Sequence, residues 1–179
     1  MKHFFPTFLR LVMLYALCVV LFVVAKPLFV LAQPAAVRDG VGAVDVMLAM
    51  WHGLPLDLAT AAYVCAPVWL LSAVALWKRW TRWTLLFKVW AAVIGMVVAL
   101  TFVGDACLYS FWGMKLDATV WTYLGQPKGA LSSVSTSFAL YAALAVILVA
   151  VSFYYLTTAA ALPRKEATPR IVKNEKHWA

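Results

Sequence analysis

Charge is what this sequence has least of. Only 12% of its 179 residues are Asp, Glu, Lys or Arg, while 65% are hydrophobic and the mean hydropathy is +0.89. Soluble domains are about 45–50% apolar, so a water-soluble core is excluded for most of the chain. Histidine is also scarce, and His3, His52 and His177 all fall outside the long apolar runs. A b-type haem held between membrane helices needs facing histidines within the spans, which excludes that chemistry. The three cysteines, Cys18, Cys65 and Cys107, form no C-x-x-C pair. That leaves no disulfide framework, no zinc site and no paired external thiols for a quinone-linked thiol oxidase; the cysteines read as small packing residues, with Cys107 the one nearest an outer helix end. Acidic residues are missing from the middle of the runs, which offer little polarity beyond Lys88, Thr101 and scattered tyrosines. Ion and proton pathways usually place acidic groups there, so transport has little to stand on.

What the sequence does have is four long apolar runs, Leu11–Ala32, Leu58–Trp77, Trp83–Gly104 and Ser135–Leu156. At 1.5 Å per residue each is long enough to cross the roughly 30 Å hydrocarbon core of a bilayer. The fold class this predicts is an all-α membrane protein with four transmembrane helices. The first run follows Lys2 and Arg10 and ends at Val30-Leu31-Ala32, which resembles a signal-peptide cleavage site. It is longer than the ~7–15-residue apolar core of a secretory signal, and it reads as a retained first helix in which Lys26 snorkels toward the headgroups.

The formal charge of +8 is a topology signal and not a nucleic-acid patch, because the basic residues sit at the ends of the runs. Lys2, Arg10, Lys78, Arg79, Arg82, Arg164, Lys165, Arg170, Lys173 and Lys176 all fall on one side. The other side carries Arg38, Lys115 and Lys128 with all five aspartates, Asp39, Asp45, Asp57, Asp105 and Asp117. The positive-inside rule then sets both termini in the cytoplasm. Lys88, five residues into the third run, reads as snorkelling toward that side.

The two outward connections are themselves apolar. Val44, Met47, Leu48 and Trp51 recur at helical spacing, which predicts a short interfacial helix over Asp45–Trp51 that ends at Gly53 and Pro55. Tyr109, Phe111, Trp112, Trp121 and Tyr123 form an outer aromatic belt, and Trp77, Trp80 and Trp83 an inner one. The five residues Lys78–Arg82 predict that the second and third helices are antiparallel neighbours in a hairpin, with close approach favoured by Ala59, Ala61, Ala62, Ala91, Ala92 and Gly95. Asp57 falls in the first turn of the second run, where a carboxylate complements the helix dipole. Asp105 falls at the end of the third, where it does not, and Lys26 is a partner within reach of either aspartate. Residues 1–162 form the four-helix domain. Residues 163–179 read as a basic cytoplasmic tail or a linker to a fifth helix, since Lys176-His177-Trp178 is the kind of basic-aromatic sequence that precedes a crossing.

The densest polar-aromatic cluster runs from Asp105 to Thr119. With Asp57 it yields the candidate lipid-headgroup or domain-docking residues Asp57, Asp105, Tyr109, Trp112, Lys115 and Asp117; the plainer reading is an aromatic belt that anchors the third helix. The pattern Trp51-His-Gly53-Leu-Pro55-Leu-Asp57, followed by Asp105…Tyr109…Trp112-Gly…Lys115-Leu-Asp117, resembles the N-terminal membrane region of the lipoteichoic acid synthase-like sulfatases of the alkaline phosphatase superfamily, in their Gram-negative form. The resemblance extends from the first helix to about Ser135, and Pro55 stands where that pattern carries a bulkier or basic residue. It implies five transmembrane helices ahead of an external domain. There a threonine nucleophile and a divalent metal, typically manganese, transfer phosphoglycerol-type groups or cleave phosphate or sulfate esters. No residue of this chain corresponds to the nucleophile or the metal ligands, so no catalytic, cofactor or metal residue is expected here. The partners implied are membrane lipids and a C-terminal catalytic domain, with no nucleic acid, in the cytoplasmic (inner) membrane of a bacterium. The alternative is a stand-alone four-helix scaffold or subunit of a membrane complex.

Overall fold

A computed structural model of the chain describes residues 4–33, 40–78, 83–112 and 135–162. They form α1 (Phe4–Leu31), α2 (Ala43–Lys78), α3 (Trp83–Trp112) and α4 (Thr136–Ala161), and no strand occurs among them. Each of the four helices is long and apolar enough to cross a membrane, and the chain is a multi-pass membrane protein. Large apolar side chains face outward along every helix, Leu70, Leu140 and Leu148 among them. In lipid that exposure is favourable, and a helix is the one open structure that satisfies its own backbone there.

All four helices run beyond the expected apolar runs: α1 already starts at Phe4, ahead of Leu11, and α4 continues past Leu156 to Ala161, and the extensions of α2 and α3 bear on the site. The Asp45–Trp51 segment does not stop at Gly53 and Pro55; it continues into the second span as one helix of 36 residues that contains both Pro55 and Pro67. A proline here removes a single backbone donor, a loss that membrane helices accommodate. Likewise α3 passes Gly104 and ends at Trp112. Along it the Thr101 hydroxyl is satisfied within the helix, donating to the Val97 carbonyl at 2.8 Å. At the start of α4 the Ser135 hydroxyl accepts from the Phe138 amide at 3.3 Å, an N-cap that satisfies one of the first-turn donors.

The expected α2–α3 hairpin is the weaker of the packing arrangements. The most extensive contacts join α3 with α4 and α1 with α2, followed by α1 with α4, while α2 and α3 touch only sparsely. A short connection fixes two helices at one end alone, and packing decides the rest. Gly95 shows why α3 prefers α4: a β-carbon there would lie 3.1 Å from the Ala150 carbonyl oxygen and 3.2 Å from a ring carbon of Phe153. The missing side chain lets the two backbones close. Of the other small residues singled out, Ala61 and Ala91 are fully buried, whereas Ala59, Ala62 and Ala92 face outward.

The core is a narrow seam of Leu14 and Cys18 from α1, Ala61, Cys65 and Val68 from α2, Phe87, Trp90 and Ala91 from α3, and Phe153 from α4. On α3 the buried positions Phe87, Ala91, Gly95, Ala99 and Val103 recur every four residues, the row that neighbouring helices meet. The diagonal pair α1 and α3 touch, whereas among the described residues α2 and α4 do not.

Candidate functional site

The charged groups gather where α1 ends. Lys26, on α1, forms an ion pair with Asp57 on α2. The carboxylate side chain is 10% exposed and the ammonium-bearing side chain 27%, so the pair is shielded on one side and open at its lysine stem. Burying either charge alone in a low-dielectric surround is costly, and the two are brought together for that reason. Gly53 makes room for them: a β-carbon there would lie 2.7 Å from Lys26 Cε. Lys26 therefore turns inward to α2, where the sequence pattern predicts snorkelling, and of the two aspartates within reach it takes Asp57.

The ion pair shares its helix register with a second contact. Cys18 and Cys65 lie against each other with sulfurs 3.8 Å apart. Together with Lys26–Asp57 this sets an antiparallel alignment in which Leu31, the last residue of α1, is level with His52. The first nine residues of α2, Ala43–Trp51, thus run past the end of α1 by about 13 Å. Val44, Met47, Leu48 and Trp51 share one side of that projection and are all exposed, Trp51 by 73%. Asp45 secures its start, its carboxylate accepting from the Gly42 amide at 2.9 Å.

A second clamp ties α1 to α3 through a residue that the sequence pattern did not single out. Gln33 is 97% buried, since only 3% of its surface is exposed. Its amide nitrogen donates to the Ala106 carbonyl at 2.9 Å, and its amide oxygen accepts from the Ser110 hydroxyl at 2.9 Å. One turn away, Phe29 and Tyr109 meet edge to face with centroids 5.4 Å apart. The available signal was a lone amide directly after an apolar run and before Pro34, a position that reads as a loop. Tyr109 is thus a packing partner of α1 as well as a belt residue.

Asp105 lies on α3 seven residues before its end, and Asp57 lies fourteen residues into α2. Neither occupies the helix-terminal position from which the dipole argument starts, because both helices extend beyond the apolar runs. Both remain near the level of the last turns of α1, away from the bilayer centre. Asp105 is partly exposed and lines a cavity of about 590 Å³ between the four helices. Trp112 is the last residue of α3 and its side chain lies outside the described part of the structure, as do Lys115, Asp117 and the tail 163–179. The structure therefore brings Asp57, Asp105 and Tyr109 to one end of the bundle. At the opposite end Lys88 is exposed near the start of α3, in keeping with snorkelling.

No group of three or more His, Cys, Asp or Glu side chains that would hold a metal ion occurs among the described residues. What the site can do is mechanical and electrostatic: it locks three helices at one level and offers both signs of charge near the headgroups. No family model, curated protein or solved structure matches this chain.

Proposed function

We propose that this chain is the membrane-anchor region of a lipoteichoic acid synthase-like sulfatase or phosphoglycerol transferase, set in the cytoplasmic membrane of a bacterium with both termini inside. It holds an external catalytic domain at the outer face and presents lipid-linked substrate to it. The observation that carries this reading is the projecting start of α2. A helix that leaves the bundle with Val44, Met47, Leu48 and Trp51 bare offers an apolar face at or above headgroup level, where a docked domain would cover it. The Lys26–Asp57 pair and the Gln33 clamp hold that projection at a fixed height, as a platform for a domain acting on lipid headgroups requires.

The test uses the full-length enzyme reconstituted in vesicles. Replacing Val44 and Met47 together by Asp is expected to depress turnover of a membrane-embedded lipid substrate about tenfold while leaving hydrolysis of a soluble ester unchanged, the loss expected if 1.4 kcal/mol of docking free energy is removed. Equal loss on both substrates would defeat the presentation role. An antibody against the first ten residues provides the prior check: a native product far above 19.8 kDa supports the anchor, and one at 19.8 kDa supports a stand-alone four-helix subunit.

A further inference from the structure

We propose that the cavity between the four helices is a binding site for one acyl chain of a phospholipid from the leaflet at the aspartate end. The cavity, about 590 Å³ in volume, takes its walls from all four helices, including Leu21 and Ala25 of α1, Val64 of α2, Val98 of α3 and Phe153 of α4. The cavity is open along one side, so bilayer hydrocarbon reaches it directly.

Its chemistry selects hydrocarbon over water. Thr60 and Thr101 are among the few polar residues in the wall, and each hydroxyl already donates to a carbonyl of its own helix, Leu56 and Val97, at 2.8 Å. Those two hydroxyls ask nothing of an occupant, and with only Ser152 and Asp105 as further polar wall residues the lining is predominantly apolar and disfavours water. The charged member of the wall, Asp105, lies at one end alone.

Its length and position select a chain from one leaflet. Along α3 the wall runs from Val97, beside the helix centre, to Asp105, a rise of about 12 Å. Half of the hydrocarbon core is about 15 Å thick. The cavity thus spans the depth of a single leaflet, with its charged end at the headgroups and its apolar end near the midplane. It also has a way in. Thr60 on α2 and Leu148 and Ser152 on α4 line it and remain exposed, and α2 and α4 do not meet among the described residues. A chain enters sideways from the bilayer through that gap.

The inference stands on the cavity alone and holds whether or not a catalytic domain docks on α2. Its test is the phospholipid retained by the purified chain after exhaustive detergent exchange, measured by quantitative lipid mass spectrometry. The wild type is expected to keep about one phospholipid per chain, and Val98→Trp, which fills the cavity, to lose it about tenfold. Leu144→Trp, on the lipid-facing side of α4, is expected to retain it. Ala25→Phe fills the same cavity from α1 and decides the matter if Val98→Trp does not fold. Loss of retention in a folded cavity variant with retention in Leu144→Trp supports the site. No phospholipid on the wild type, detergent or another apolar molecule in its place, or full retention in a folded cavity variant would overturn it. Because this readout needs only the present chain, its failure is separable from failure of domain docking, which is read on the full-length enzyme.

Discussion

Lys26 and Asp57 carry most of the electrostatic consequence at the scale of single residues. Asp57→Asn leaves an ammonium partly buried without its counter-charge, and we expect a cost of about 3 kcal/mol, the lower part of the range for a broken buried pair because the lysine stem is 27% exposed. Lys26→Met with Asp57→Leu removes both charges and is expected to be near neutral, since an apolar pair of similar volume avoids the desolvation that the ion pair must overcome. Unfolding in mixed detergent micelles measures both variants, and a double replacement as damaging as the single one would show that the pair is not what stabilises this end. The sequence made Lys26 conspicuous as a cation inside an apolar run but left two aspartates open. Which one it reaches depends on helix register, and register follows from the packing of Cys18 on Cys65, two residues whose apposition no local pattern announces. Gln33 was illegible for a related reason: a buried amide is recognisable only when its partners are known, and these lie on α3 at Ala106 and Ser110.

Hydropathy located the four helices but not their ends. Gly53 and Pro55 are helix-stopping signals calibrated on water, where a freed carbonyl can be hydrated and the chain can turn away. Near a membrane the cheaper course is to continue, and α2 runs through both residues for 36 in all. The same shift carries α3 beyond Gly104 and removes the premise that Asp105 sits at a helix terminus. Pairing of helices was legible only in part, because small residues mark surfaces that permit close approach without saying which neighbour takes them. Gly95 is the position where that choice is made. Its would-be β-carbon meets a backbone oxygen and an aromatic ring, neither of which moves aside as a lysine end would at Gly53. Gly95→Leu is therefore expected to separate α3 from α4 and to cost about 1–3 kcal/mol, the usual range for overpacking. Gly53→Ala is expected to be destabilising, because it displaces the Lys26 end that is paired with Asp57 and the about 0.5–1 kcal/mol of regained helix propensity offsets only part of that loss. A thermal unfolding series on the two variants in one detergent measures both losses, and a Gly95→Leu protein as stable as the wild type would contradict this account of the α3–α4 interface.

The whole molecule divides into two closely packed helix pairs, α1 with α2 and α3 with α4, held together by α1 against α4 and by the polar clamp at the aspartate end. Each pair buries its own small-residue contact, Cys18 on Cys65 in one and Gly95 on Phe153 in the other. Membrane helices that insert independently and then associate make such a division workable. Coexpressed fragments 1–80 and 81–179 are therefore expected to insert and to copurify as a complex, the covalent connection between α2 and α3 contributing little beyond proximity. Gln33→Ala should weaken that complex, since it removes both hydrogen bonds between α1 and α3 and interhelical hydrogen bonds in membranes average about 0.6 kcal/mol with a maximum near 1.7. The intact chain, in which the fragments are tethered, should tolerate the same substitution with a smaller change, because tethering replaces an association between separate molecules by one at high effective concentration. Copurification across a detergent dilution series measures both. If the fragments fail to associate even with Gln33 present, the two pairs are not the units in which this bundle is built, and the sparse α2–α3 contact must matter more than its extent implies.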